Sequence, residues 1–135
     1  QLISYQEIKD KLPQQYPFIM IRQANFNKNQ QSLQSYMFLS DFQNINSIYP
    51  FSFIVEGAAQ SCIILYKLLF PHSEKKQFLL TGINNTQINR QCMIGERLIY
   101  VCSFTRTFEK GAFSEIKLYS DTEYIGEINL SFFMN

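Results

Sequence analysis

The sequence predicts an α+β domain in which one antiparallel sheet wraps around a long central helix. The stretch from Pro50 to Pro71 is apolar on nearly every side, which is typical of a helix enclosed by protein. The segments before and after it are short runs of strand-like composition, and the later runs are joined by short polar links that favour antiparallel neighbours. A length of 135 residues fits one domain, so we expect a single domain over residues 1–135.

The N-terminal part is predicted to contain a short helix and a β-hairpin. Ser4 and Glu7 have the spacing of a capping box, so a helix from about Tyr5 to Lys11 should follow and end at Pro13. Two extended runs and the polar turn between them then predict a hairpin, with strands over 16–22 and 32–39 and a turn at 27–30.

The central helix carries a polar stripe on an otherwise apolar cylinder. Pro50 suits a helix start and Pro71 a stop, because proline lacks the N–H that an interior turn donates. At about 100° per residue, four polar residues fall within roughly a quarter of the circumference: Ser52, Glu56, Gln60 and Lys67. Glu56, a carboxylate in an otherwise apolar helix, is therefore a candidate functional residue.

The C-terminal half is predicted to be all strand. A loop over 40–49 delivers the chain to the central helix, and a solvated connection over 71–76 leaves it. Four strand-like runs follow: Phe78 to Ile83, Arg97 to Phe108, Ala112 to Ser120 and Tyr124 to Phe133. The order is therefore a short helix, two strands, a long buried helix and four strands, which one curved antiparallel sheet around the helix satisfies.

Composition and charge exclude several kinds of protein. The 12 Lys and Arg nearly balance the 11 Asp and Glu, so electrostatics gives no reason to expect a nucleic-acid partner. Three cysteines without CxxC or Cys/His spacing argue against a metal site and fit a reducing, cytoplasmic compartment. Glu56, Gln60 and Lys67 would each be costly in lipid, so we expect burial in protein and no membrane contact.

Three separated blocks resemble one known family. The first block is residues 12–21, LPQQYPFIMI, which resemble the pattern Leu-Pro-x-x-Tyr-Pro-Phe-Leu-Leu-Val. The second is residues 49–60, YPFSFIVEGAAQ, which resemble Met-Pro-Gly-Val-Leu-Ile-Val-Glu-Ala-Leu-Ala-Gln. The third has two parts: TGIN at 81–84 resembles Ala-Gly-Ile-Asp, and MIGERL at 93–98 resembles Val-Pro-Gly-Asp-Gln-Leu. In this order they are similar to the 3-hydroxyacyl-acyl-carrier-protein dehydratases of fatty-acid synthesis. The resemblance implies the hotdog fold, a sheet wrapped around a central helix.

The resemblance also implies a site. Glu56 matches the family's helix carboxylate, which works with a histidine of the other subunit in a dimer. The first-turn residues Phe51, Ser52 and Phe53 would present N–H groups to the thioester carbonyl, as helix N-termini do for developing negative charge. Gln60 would contact substrate or orient Glu56 through a hydrogen bond.

The chain departs from the family pattern at two positions of the implied active site. Allowing one extra residue in the loop, Asp41 occupies the position of the family histidine, and Phe51 replaces a glycine at the helix start. The sole histidine, His72, lies beyond the far end of the helix, where we expect it to be solvated. Asp41 and Glu56 could share a proton if they came close, and Asp41 could equally be an ordinary loop or cap residue.

Three functions remain open on this evidence. The leading one is a 3-hydroxyacyl-thioester dehydratase, with Glu56 as the first catalytic candidate and Asp41 as the second. The others are a carboxylate-dependent acyl thioesterase and a non-catalytic acyl-binding subunit. No cofactor is expected, since the acyl group is carried on the phosphopantetheine of an acyl carrier protein or on CoA. The expected assembly is a homodimer or higher homo-oligomer, or a hetero-oligomer with a paralogue that supplies the histidine.

Overall fold

A computed structural model describes residues 1–14, 18–39 and 48–135. Its elements are β1 Leu2–Ile3, α1 Tyr5–Lys11, β2 Gln23–Asn27, β3 Ser32–Phe38, α2 Phe51–Leu69, a 3₁₀ turn Pro71–Ser73, β4 Phe78–Ile88, β5 Arg97–Phe108, β6 Gly111–Ser120 and β7 Glu123–Met134. The predicted α+β class and the predicted order of the main elements are confirmed. The capping box is also present, because Ser4 accepts from the Glu7 N–H and the Glu7 carboxylate accepts from the Ser4 N–H.

The strands form one seven-stranded sheet with the order β1-β2-β3-β5-β6-β7-β4. Every pairing is antiparallel. The two strands that flank α2 in sequence, β3 and β4, lie far apart in the sheet, because β5, β6 and β7 lie between them. Strand β4 therefore occupies one edge of the sheet, and the two-residue β1 occupies the other.

Helix α2 is the centre of the core. By length and apolarity it is able to cross a membrane, yet most of its length is buried against β3, β5 and β7. Tyr100 of β5 is fully enclosed and donates its hydroxyl to the Ile54 carbonyl at 3.0 Å. Its ring lies so close to Gly57 that a side chain there would collide with it, so the glycine permits this contact.

The predicted strand over 16–22 is wrong for its described residues, 18–22. The strand is instead Gln23–Asn27, and the preceding run crosses the face of α2. The physical reason lies in its hydrogen bonds. The Phe18 carbonyl and the Met20 N–H are bound by the side chain of Gln60 and not by a neighbouring strand. Apolar residues 19–21 are thereby buried beneath the helix while their backbone stays paired.

Strand β4 extends five residues beyond the predicted Phe78–Ile83 and ends at Ile88. The missed residues, 84–88, are mostly polar and exposed, so they carry no apolar alternation. An edge strand needs only one hydrogen-bonded neighbour, which here is β7. Strands β3, β5, β6 and β7 lie within one residue of their predicted bounds, whereas the two-residue β1 was not predicted.

Candidate functional site

Glu56 lies on the face of α2 that meets the N-terminal segment, and it is only partly buried. Its Oε1 accepts two hydrogen bonds of 3.1 Å, one from Gln60 Nε2 and one from Gln14 Nε2. Within the described part of the chain, Oε2 accepts none. The described residues thus hold the carboxylate through one of its two oxygens.

Gln60 is fully buried, and both the nitrogen and the oxygen of its side-chain amide form hydrogen bonds. Its carbonyl oxygen accepts from the Met20 N–H at 2.7 Å, and its nitrogen donates to the Phe18 carbonyl at 2.8 Å and to Glu56. These contacts suit a residue that orients Glu56, the second of the two roles considered from sequence. They also explain why the residue four positions after Glu56 is an amide: it must both donate and accept.

Sequence reasoning assigned no role to Gln14. It belongs to the first resembling block, but its position beside Glu56 depends on how the segment after α1 crosses α2. Its Oε1 is buried and has no hydrogen-bond partner among the described residues. The side chain therefore fixes Glu56 with one atom and leaves an acceptor facing the same region.

Of the three backbone donors predicted at the N-terminus of α2, the Phe53 N–H is wrong as a substrate donor, because the Pro50 carbonyl already accepts it. The helix begins after Pro50, which has no side chain to cap it. The N–H groups of Phe53 and Ile54 donate to the Pro50 carbonyl, whereas those of Phe51 and Ser52 have no acceptor in the described ranges. Phe51 and Ser52 are exposed, and Phe53 packs edge-on against Tyr49 at 5.6 Å. Among the described residues, the Phe51 and Ser52 N–H groups are thus unbound, about one helical turn before Glu56.

A pocket of about 370 Å³ adjoins this helix start. Its lining is mostly apolar and includes Tyr49, Pro50, Phe51, Ile54 and Ile88. The Phe51 side chain, which replaces the family's glycine, forms part of the wall. An apolar pocket and the Phe51 and Ser52 N–H groups therefore share the N-terminal end of α2.

The two remaining sequence candidates differ in what the structure says of them. Asp41 lies outside the described residues. His72 is exposed in the 3₁₀ turn after α2. The thirteen positions of α2 from Glu56 to Leu69 give a rise of about 20 Å, and His72 lies beyond that end, so the prediction that it is solvated and distant from Glu56 is confirmed. Across 1–14, 18–39 and 48–135, no cluster of His, Cys, Asp or Glu is arranged to hold a metal ion.

The loop of residues 89–96 fastens the chain on both sides of residues 40–47. On one side, the Leu39 N–H donates to the Glu96 carbonyl at 2.9 Å and the Gly95 N–H donates to the Leu39 carbonyl at 2.7 Å. On the other, the Tyr49 N–H donates to the Cys92 carbonyl at 2.8 Å. Gly95 adopts a φ of 98°, which few other residues tolerate, so the turn that makes these bonds depends on it.

The shape of this loop is set by the Glu96 carboxylate. It accepts from Arg90 at 2.6 Å and from Ser120 at 2.7 Å, and it also accepts the Met93 N–H. Arg90 is shared with Glu123 at 3.1 Å. The Arg90 hydrogen bond, with smaller contributions from Ser120 and Met93, lowers the pKa of Glu96 from its usual 4.5 to about 2.

Glu96→Gln is expected to destabilise the protein at neutral pH by about 2 kcal/mol, and the difference should vanish in acid. Because the folded-state pKa lies below the unfolded value, the contribution is complete above pH 4.5 and is lost as pH falls towards 2. Urea unfolding of both proteins at pH 7 and near pH 2 checks this. Glu109→Gln, at an exposed carboxylate, is the matched control; a gap between wild type and Glu96→Gln that does not change with pH would contradict the assignment.

Solved structures show the fold class. The dehydratase heterocomplex ApeI:P from Xenorhabdus doucetiae matches with a TM-score of 0.80 at 14% identity, covering 95% of this chain and 90% of that one. A thioesterase superfamily protein matches with a TM-score of 0.63 at 9% identity, covering 82% of this chain and 52% of that one. The fold is the hotdog fold, as the sequence predicted.

Comparison with sequence relatives identifies the family within this fold. FabZ, the 3-hydroxyacyl-[acyl-carrier-protein] dehydratase of Lawsonia intracellularis, is 32% identical over 111 residues, covering 75% of this chain and 72% of the relative. FabZ of Chlamydia pneumoniae is 25% identical over 142 residues, covering 97% and 92%. No family model matches the chain. The chain belongs to the FabZ family of hotdog-fold dehydratases, and its general function concerns acyl thioesters.

Proposed function

We propose that this protein is a 3-hydroxyacyl-thioester dehydratase in which Glu56 carries the acid–base chemistry. Dehydration removes a proton from the carbon beside the thioester carbonyl and releases the 3-hydroxyl with a proton as water, leaving a conjugated enoyl thioester. The observation that carries the proposal is the Glu56 carboxylate, which Gln14 and Gln60 hold through Oε1, while no described residue binds Oε2.

The helix start supplies the other requirement of this reaction. Negative charge develops on the thioester oxygen as the proton is removed, and donors aimed at that oxygen stabilise it. The N–H groups of Phe51 and Ser52, which no described residue accepts, are suited to this role, and the helix dipole adds to it. The substrate's phosphopantetheine, on an acyl carrier protein or on CoA, belongs to the substrate and needs no separate cofactor.

The missing histidine supports an alternative in which the chain acts with a partner. Asp41 stands in the histidine's place, and His72 is remote from Glu56. The ApeI:P structure is a dehydratase made of two different chains, at an identity that relates only the folds. By analogy, a histidine-containing paralogue would complete the site in a hetero-oligomer.

Turnover of short and medium 3-hydroxyacyl and enoyl thioesters by the pure protein tests the proposal. Absorbance of the conjugated enoyl product and free thiol are followed together. Enoyl formation or loss without thiol release is the expected result. Thiol release would replace the proposal by carboxylate-dependent thioester hydrolysis. No signal in either channel would overturn activity of this chain alone and favour the acyl-binding, partner-dependent role.

The proposed assembly is a homodimer formed through the β4 edge. Among the described residues this strand pairs on one side only, with β7, and it exposes Leu79, Leu80 and Ile83, whose exposed fractions are 69%, 42% and 50%. A long apolar edge strand is a template for pairing with another chain. A two-fold axis across β4 would extend the sheet and cover these side chains.

Combining Leu79→Lys with Ile83→Lys is expected to give a folded monomer. In a two-fold interface the same patch of both copies meets, so the four new charges are brought together and their repulsion opposes pairing, while the monomer core is untouched. Light scattering measures the mass and circular dichroism the fold. Leu2→Lys, at an exposed residue of the opposite edge, is the control and should keep the dimer. A dimeric Leu79→Lys/Ile83→Lys protein would exclude this interface.

A further inference from the structure

A second pocket, of about 420 Å³, lies where the end of α1, the second half of α2 and the segment before β4 meet. Its charged lining consists of four lysines and two carboxylates: Lys11, Lys67, Lys75, Lys76, Asp10 and Glu74. Both carboxylates already have partners, since Glu74 binds Lys11 at 3.0 Å and Asp10 accepts from Gln6 at 3.0 Å. The pocket therefore presents an excess of positive charge to solvent.

Lys67 is the unusual member of this set because it is 7% exposed. Its Nζ donates to the Lys11 carbonyl at 2.6 Å, and its ammonium lies 5.5 Å from the centre of the Phe78 ring. An ammonium has three N–H donors, and in the part of the chain that is described only this one has an acceptor. Burial lowers the pKa of Lys67, the sign of a charge that lacks full compensation.

The pocket continues the polar stripe of α2 that contains Glu56. Lys67 follows Glu56 by eleven positions on the same helix face, a rise of about 16 Å. Gln14 connects the pocket to Glu56, because it lines the pocket and donates a hydrogen bond to the Glu56 carboxylate. Ile63 supplies an apolar wall between them. One continuous face thus runs from a carboxylate at one end to a buried ammonium at the other.

We propose that this pocket binds a phosphate group through Lys67, with Lys75 and Lys76 at its rim. A phosphate would accept the unused Lys67 donors and neutralise the buried charge, and lysines bind phosphate as point charges. The phosphate is that of a phosphopantetheine-borne thioester, whose extended arm spans the distance to Glu56. This choice of ligand rests on the proposed function; the phosphate site itself does not.

Binding of 4′-phosphopantetheine, pantetheine and inorganic phosphate to the full chain tests the proposal by calorimetry, without any turnover. We expect phosphopantetheine to bind at least about tenfold more tightly than pantetheine, as one charge-assisted contact implies. Lys67→Met keeps the length of the side chain and should abolish that difference. Lys75→Ala with Lys76→Ala, at exposed positions, should reduce it. Lys28→Ala with Lys110→Ala, exposed lysines outside this pocket, is the charge-matched control and should leave it unchanged.

Equal binding of phosphopantetheine and pantetheine, or an unchanged ratio in the Lys67 and Lys75/Lys76 variants, would overturn the proposal. If Lys67→Met does not fold, the Lys75/Lys76 pair decides. Inorganic phosphate that binds as tightly as phosphopantetheine, with the same dependence on Lys67, would support the site and reject the arm as its source. Because these measurements need no catalysis, a chain that binds phosphopantetheine but turns over no thioester would retain this site and lose the proposed activity.

Discussion

Glu56→Gln is expected to reduce thioester dehydration by at least about a hundredfold, the usual contribution of a positioned acid or base. The amide keeps the size of the side chain and can still accept from Gln14 or Gln60, so the fold and the dimer should persist. What it loses is the ability of Oε2 to take up and return a proton. Initial rates of enoyl formation under saturating and limiting substrate measure the effect.

Glu109→Gln is the matched control for this change, because Glu109 is exposed and lies in the β5–β6 turn. Its rate should equal that of the wild type. Circular dichroism and light scattering of Glu56→Gln must match the wild type for the comparison to count. A fully active Glu56→Gln enzyme would remove Glu56 from the chemistry and with it the proposed dehydratase mechanism.

Tyr66→Ala is expected to lower the free energy of unfolding by about 3–5 kcal/mol, the range for deleting a buried aromatic ring. Tyr66 is 1% exposed and is surrounded by four phenylalanine rings with centroids 4.6–5.8 Å away: Phe70, Phe78, Phe104 and Phe132. Its loss would leave a cavity where α2 meets β4, β5 and β7. Since a domain of this size has a free energy of unfolding of only about 5–15 kcal/mol, the substitution would remove a large part of the protein's stability.

Tyr66→Phe separates packing from hydrogen bonding. The hydroxyl donates to the carbonyl of Phe108 at 3.0 Å and lies 3.3 Å from that of Glu109, so its removal should cost only about 1 kcal/mol. Urea unfolding at one fixed protein concentration compares the two variants with Tyr124→Ala, a partly exposed ring that serves as control. Equal losses for Tyr66→Ala and Tyr66→Phe would mean that the ring cluster adds little.

The parts of the fold that follow from local periodicity were predictable. The long apolar run and its flanking prolines located α2 to within one or two residues, and polar links located β5, β6 and β7. The described part of the run predicted as a strand, residues 18–22, was misassigned because its apolar residues 19–21 are buried against a helix and are not part of the sheet. Its backbone partner is a side chain, Gln60, which no local pattern in the run announces.

The candidate site was predictable only where one element supplies it. Glu56 and Gln60 share a face because they are four positions apart on one helix. Gln14 is 42 positions before Glu56 and reaches it only through the tertiary fold, so its role required the structure. The roles of Asp41 and of the first-turn amides stay predictions until the substrate experiments are done.

The attachment of Leu39 and Tyr49 to the 89–96 loop places the described residues on both sides of 40–47 on one support. Their backbone groups form hydrogen bonds with those of Glu96, Gly95 and Cys92, and the shape of that support depends on Arg90 and Ser120, which bind the Glu96 carboxylate. A segment taken from a relative and joined at Leu39 and Tyr49 would therefore start and end at the same two anchors. These anchors are the natural junctions for grafting a histidine-bearing FabZ segment into this chain.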